Sequence, residues 1–275
     1  MNWVGNKKKY VDLVRKRLPP AWDRQHSTYI DPFVGGGALF FSLQPDAAVI
    51  NDNQPHLMSI YEALRTDLEA FVENLQPLYQ GNCRRVFDEQ KDHVFHETCL
   101  YKKAAAFSYL IHTALFSFLC PTIDGNAYVG CYRQREVDKP LQVPRKKFAH
   151  YAACLQKPHV ALMCGDFKDA TRLAKPGDFI FIDPPYMNEK RPKRKIYCDF
   201  SRDDHMRLLQ EVARLDALGC YVMLFNHDHP VVLEASKGWS RCHIEYLSAA
   251  GSGANNKFGN YKEILLTNYP YASTP

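Results

Sequence analysis

The chain has 275 residues, of which 46% are hydrophobic and 24% charged. That is the composition of one large globular domain, or of a domain carrying an insert, and it excludes a disordered chain and a fibre. Lys plus Arg exceed Asp plus Glu by only 35 to 30, but the excess is clustered: Lys7–Lys9, Arg15–Arg17 and Arg145–Lys147 are unbroken basic triplets, and five of the six residues Lys190–Lys195 are basic, which suits a polyanionic partner.

In chain order, apolar runs bounded by Gly, Pro, Asp or Asn predict strands at Thr28–Ile30 and Ala48–Ile50. From Leu57 to about Leu155 the periodicity is helical instead, with helices expected at Leu57–Leu75, Arg84–Glu97 and Lys102–Leu119 and a hairpin turn at Asp124–Gly125. Strand-like runs resume at Val160–Met163 and Phe179–Ile182. A helix capped by Ser201, with Asp204 three residues on and Gly219 closing it, leads to runs at Tyr221–Phe225 and Ile264–Thr267. Strand and helix alternating in this way predict an α/β fold with a doubly wound, mostly parallel sheet. Residues 1–56 and 145–275 are expected to form it, with 57–144 as an inserted helical subdomain.

Nine cysteines, an odd number with no Cys-x-x-Cys pair, encode neither a disulfide framework nor a zinc knuckle and point to a reducing, cytoplasmic compartment. Met1–Lys16 is polar and basic, so no secretory leader is expected. The stretch Ala104–Ile123 lacks acids, Lys and Arg, but His112, Thr113, two serines and Pro121 make it a buried helix and not a membrane span. His93 and His96, at i, i+3 beside Glu97, are joined by no further ligand, and no metal is expected.

Three motifs carry chemistry. The run Tyr29-Ile30-Asp31-Pro32-Phe33-Val34-Gly35-Gly36-Gly37 takes a strand through an acid and three glycines towards a helix, at the sheet edge where nucleosides sit. Neither a G-x-G-x-x-G fingerprint nor a phosphate loop is present. Asp52 ends the next apolar run seventeen residues after Gly35, where an acid accepts hydrogen bonds from ribose hydroxyls. A nucleoside site without a pyrophosphate clamp suits S-adenosylmethionine. The third motif, Phe179-Ile180-Phe181-Ile182-Asp183-Pro184-Pro185-Tyr186, ends a buried strand in Asp-Pro-Pro-Tyr. The tetrapeptide resembles the hallmark of the amino-methyltransferases, whose substrate, an exocyclic amine, is a poor nucleophile until acceptors draw on its N–H groups. Asp183 and the Pro184 carbonyl can accept them while Tyr186 stacks on the base.

The whole chain resembles the Dam-type DNA adenine N6-methyltransferases. Trp3-x-Gly5-x-Lys7 with Tyr10, the Asp31–Gly37 turn, Asn51-Asp52-Asn53, Gly165-Asp166-Phe167, Asp183–Tyr186 and Phe225-Asn226-His227-Asp228 fall in that family's order. The resemblance implies a methyltransferase-like Rossmann fold that moves a methyl group from S-adenosylmethionine to N6 of an adenine flipped out of double-stranded DNA. It implies Trp3, Lys7, Asp31, Phe33, Gly35, Asp52, Asp166, Phe167 and Asp183 at the cofactor, and Asp183, Pro184 and Tyr186 at the reacting amine. It also implies a prokaryotic or phage-infected cell, and it allows a companion restriction endonuclease.

From Gly37 to Asp183 there are 146 positions, where three strand–helix units need roughly 70. The surplus is where this family carries its target-recognition domain. Lys190, Arg191, Lys193, Arg194, Lys195, Tyr128 and Arg133 are the expected DNA contacts. The family often has Asn-Gly-x-x-Arg after its long helix, the Arg reading a guanine. Here Phe116–Cys120 stands in its place and lacks the Arg fork, so GATC is not carried over to this chain. An RNA or protein-glutamine methyltransferase and a silent DNA-binding regulator are the rival readings. The first fits the basic runs and the insert less well, the second the intact Asp52, Asp183 and Tyr186.

Overall fold

The computed structural model describes residues 1, 3, 5–117, 119–122, 128–133, 139–186, 200–244 and 263–271, without the side chains of 116 and 120. A 3-10 turn at Lys7–Tyr10 runs into α1 (Val11–Arg15), followed by β1 (Tyr29–Asp31), α2 (Ala38–Leu43) and β2 (Ala47–Asp52). Helices α3 (Pro55–Thr66), α4 (Leu68–Gln80), α5 (Arg84–His93) and α6 (Leu100–Thr113) come next, then the short strands β3 (Cys120–Pro121) and β4 (Tyr128–Val129). The chain continues through α7 (Arg145–Leu155), β5 (His159–Cys164), α8 (Phe167–Thr171), β6 (Phe179–Ile182), α9 (Arg202–Ala217), β7 (Tyr221–His227), α10 (Pro230–Ala235), β8 (Ser240–Ile244) and β9 (Glu263–Thr267).

Seven strands form one sheet in the order β5-β2-β1-β6-β7-β9-β8, parallel from β5 to β7 and antiparallel at β9 and β8. The chain winds outward from β1 through β2 to β5, then returns to lay β6 against β1. Ile30 faces Ile180 in that ladder, so Asp31, the last residue of β1, and Asp183, the first after β6, emerge at the same edge. This β1/β6 junction is the switch point at which open α/β sheets hold ligands.

Strand side chains alternate between two cores, as the pleat requires. Tyr29, Ile50, Phe179, Phe181, Met223 and Phe225 face one side together with α2 to α7. Ile30, Val49, Ile180, Ile182, Leu224 and Leu266 face the other, with α8, α9 and α10. The helices of residues 57–144 share the first core with the sheet, and α3 straddles the expected boundary at 56/57.

The expected helix Leu57–Leu75 is two helices. Asp67, extended at φ −153°, closes α3 and caps α4 by accepting from Ala70 N at 3.0 Å. Lys102–Leu119 is shorter than expected, since α6 ends at Thr113 and gives way to a 3-10 turn, Leu115–Ser117. β3 and β4 pair antiparallel on either side of the expected hairpin turn, while Asp124–Gly125 itself lies outside the described residues. The capping box at Ser201 and Asp204 has both reciprocal bonds. No helix among the described residues is long and apolar enough to cross a membrane.

Candidate active site

A cavity of 320 Å³ opens at the switch point, walled by the turns after β1, β2 and β6, the N-terminal segment and the cavity-side ends of β7 and β9. Its volume is at the lower end of the range for small-molecule sites. The loops hold one another in place: the Asn51 amide donates to Pro32 O (3.0 Å) and Gly165 O (3.1 Å), and Val34 N donates to Asn51 O (2.8 Å). Gly35 (φ +48°) and Gly37 (φ +66°) occupy the left-handed region that favours glycine. A Cβ on Gly35 would lie 2.9 Å from Trp3, and one on Gly37 2.7 Å from Phe41 and the Tyr61 hydroxyl. The glycines therefore admit the N-terminal segment and the α2–α3 packing.

Three aspartates stand around the cavity, Asp31 buried and Asp52 and Asp183 partly buried. Asp31 accepts from the Tyr29 hydroxyl (2.9 Å) and Phe33 N (3.3 Å), and burial pushes its carboxyl up to about 8. Asp52 accepts from Gly35 N and Gln54 N, each at 3.0 Å. Burial lifts it to about 6 against the pull of those bonds. Asp183, just past β6, is held above the ordinary carboxylate range by burial, although Lys7 Nζ pairs with it at 3.0 Å.

Lys7 is itself buried, its side chain 9% exposed, and its ammonium lies 4.8 Å from the centre of the Tyr186 ring and 5.4 Å from that of Phe225. The Tyr186 hydroxyl is pushed well above its ordinary range by burial and by Asp183. His227 meets the Tyr186 ring edge-on at 4.7 Å.

Trp3, Lys7, Asp31, Phe33, Gly35, Asp52, Asp183, Pro184 and Tyr186 all line this one cavity. Asp166 and Phe167 do not. Asp166 caps α8 through Lys168 N and binds Arg207 at 2.8 Å, and the buried Phe167 ring lies behind Phe33 at 5.5 Å.

Tyr128 needs correction as a DNA contact: it is 3% exposed, packs on Phe95 and Phe107, and its hydroxyl meets His56 Nδ1 at 2.9 Å. Burial leaves it no face for a duplex. Arg133 lines an open cleft beside the cavity. Lys190, Arg191, Lys193, Arg194 and Lys195 lie outside the described residues.

Sequence reasoning assigned no site role to His227 or Glu263, both in the wall. His227 stood in a noted motif. Glu263 had no signal beyond preceding an apolar run. One Glu263 carboxylate oxygen is buried without a hydrogen-bond partner among the described residues. Among the described residues no three His, Cys, Asp or Glu side chains are grouped to hold a metal ion.

A mostly parallel sheet with its cavity at the switch point, and an Asp-Pro-Pro-Tyr corner on the rim, define the class: an α/β enzyme of the methyltransferase type. More closely, the chain belongs to the D12 class N6 adenine-specific DNA methyltransferases, whose family model matches residues 3–250. It is 27% identical over 274 residues to the Type II methyltransferase M1.LlaDCHI of Lactococcus lactis subsp. cremoris, covering 97% of this chain and 94% of that one. It is 28% identical over 250 residues to the Type II methyltransferase M.MjaIII of Methanocaldococcus jannaschii, with 82% and 83% covered. The DNA adenine methylase of Escherichia coli strain K12 is 22% identical over 188 residues, with 68% and 64% covered.

Proposed function

We propose that this adenine-specific DNA methyltransferase takes its methyl group from S-adenosylmethionine and that the cavity holds cofactor and flipped adenine together. The observation that carries the reading is the placement of Asp52 and Asp183 in a single cavity, with Lys7 and Tyr186 beside Asp183. The residues fit the cofactor. Asp52 accepts two backbone N–H bonds and has lone pairs to spare for ribose hydroxyls. Three desolvated carboxyls, all raised in pKa, favour a cationic ligand. Trp3, Phe33 and Gly35 supply apolar wall and close backbone.

S-adenosylmethionine, when bound, supplies a methyl group made electrophilic by its sulfonium centre. Asp183 and the Pro184 carbonyl accept the two N–H bonds of N6 and aim its lone pair, while Tyr186 stacks on the adenine. Transfer would break the methyl–sulfur bond, leaving a neutral thioether, as the N6–methyl bond forms, and N6 would release a proton. Asp183, raised above the usual carboxylate range, is placed to accept it. Lys7 holds Asp183 in position and moderates its basicity.

Residues 57–144 would read the target and the basic run Lys190–Lys195 would contact phosphates. The names of two relatives as Type II methyltransferases support a restriction–modification setting, with a companion endonuclease, in the cytoplasm of a prokaryotic or phage-infected cell. Incubating the enzyme with methyl-labelled cofactor and random duplex DNA, then sequencing the modified positions, tests the reading. N6-methyladenine at one short recurring sequence is expected, and label absent from DNA would overturn it.

A further inference from the structure

Beside the active cavity, and sharing Trp3, Asn6 and Ala38 with it, lies a second and wider cleft. Its walls come from the 3-10 turn and α1, from α2, from Ser117 and Arg133 at the base of the hairpin, and from α7. Lys8, Lys9, Arg133 and Lys147 all line it, against Asp12 as the single acid. Neighbouring cations on α7 and just after it are paired: Arg145 binds Glu69 at 2.7 Å and Lys157 binds Asp46 at 2.8 Å. Lys8, Arg133 and Lys147 have no carboxylate partner among the described residues.

Lys147, on the exposed face of α7, holds its ammonium 5.6 Å from the centre of the Tyr151 ring. That ammonium is lowered from the ordinary range by desolvation and by the like charge of Lys8. Folding has thus drawn cations together around a single acid, Asp12, in a cleft that adjoins the candidate active site.

We propose that this cleft seats backbone phosphates of the DNA strand that carries the target adenine, with Lys8 and Lys147 as the paired phosphate ligands. The proposal rests on the function proposed above and extends it to a surface that Lys190–Lys195 do not form. A duplex supplies phosphates along each strand at a spacing of about 3.4 Å per residue step of the helix axis. The strand entering the cavity must therefore lay phosphates against its rim, and this rim carries the unpaired cations. A phosphate there would restore the Lys147 ammonium, whereas an uncharged partner would leave it uncompensated.

The test measures duplex affinity from 50 to 300 mM salt by fluorescence anisotropy for the wild type, Lys8→Gln, Lys147→Gln and the double variant, with cofactor affinity measured in parallel by calorimetry. Each lost phosphate contact lowers the slope of log K against log salt by about 0.9, so the double variant is expected to lose about 1.8 while binding cofactor like the wild type. Lys147→Arg, which keeps the charge, should restore the slope. A double variant with wild-type slope and affinity would overturn the proposal, as would a slope lost equally in Lys147→Arg. Lys8 is exposed, so Lys8→Gln alone reads the same outcome if substitution at Lys147 impairs folding. Wild-type protein that binds and methylates DNA while these variants behave identically removes only the cleft. Wild-type protein that does neither removes the function on which it stands.

Discussion

The cavity at the sheet edge and the helical region of residues 57–144 treat buried polar groups in opposite ways. In the helical region they are matched. Asn82, buried at the end of α4, accepts from the hydroxyls of Tyr109 (3.0 Å) and Tyr132 (2.9 Å) and donates to Lys139 O (2.9 Å). His56 meets Tyr128 in the same fashion. At the cavity the chain leaves a Glu263 oxygen without a partner among the described residues and packs Asp31, Asp52 and Asp183 where burial raises all three. A buried polar group without a partner costs free energy. At the cavity that cost falls where a ligand can offset it, and the helical region closes its own bonds.

The sharpest break in this contrast is Asp183→Ala. Removing the acceptor we propose for the reacting amine should lower turnover by about 10²–10³-fold with the fold intact by circular dichroism. Turnover above a tenth of wild type in a single-turnover assay would remove the assigned role.

Lys7→Met strips the cation from a buried pair and leaves a carboxylate alone, a change that typically costs about 3 kcal/mol. The Asp183 carboxyl should then rise further, because Lys7 is what pulls it down. The acid limb of the rate–pH profile should move to higher pH. An unmoved limb in an otherwise folded variant would show that Asp183 is not the group titrating.

Asp52→Ala should weaken cofactor binding by about 1.5–3 kcal/mol, read by calorimetry, with duplex affinity unchanged. The same titration carries a pH signature. Asp31 and Asp52 lose their protons near 8 and 6 in the ligand-free protein, and a cationic ligand favours the charged forms. Cofactor affinity should therefore rise from pH 5 to pH 8 with proton release, and Asp31→Asn should flatten the upper part of that rise.

Asn82→Ala tests the other side of the comparison. It orphans two tyrosine hydroxyls, so unfolding should become easier by about 1–2 kcal/mol in a urea titration while cofactor affinity stays at the wild-type value. A fall in cofactor affinity would show that the two regions are not separate in function.

How much of this was legible in the sequence follows the same division. β1, β2, β6, β7 and β9 were readable because central strands are continuous apolar runs stopped by Gly, Pro or an acid, and β5, although at the sheet's other edge, was readable because it keeps the apolar run Val160–Met163. β8 was not, because it is an edge strand whose residues alternate between cover and solvent and include Arg241 and His243. The break between α3 and α4 was hidden by unbroken helical periodicity, although Asp67 is a good cap residue. Asp52 and Asp183 were legible because an acid that stops an apolar run has few structural reasons to be there. Tyr128 was misread because an aromatic in a hairpin has the same sequence signal whether it packs inward or outward. Glu263 became visible only when β9 was seen to pair with β7 and bring it to the cavity.

β9 lies between β7 and β8, so residues 263–267 form an interior strand of the sheet although they come last of the nine in chain order. The cavity draws Lys7 from one end of that order and Glu263 from the other. A growing chain on the ribosome can assemble β1, β2, β5 and β6 and their helices long before β9 emerges, yet it carries an unpaired edge at β7 and an open cavity wall until then. Contacts of such long sequence separation form slowly, and exposed strand edges invite wrong partners in the meantime. The cavity wall is therefore complete only once β9 has paired with β7.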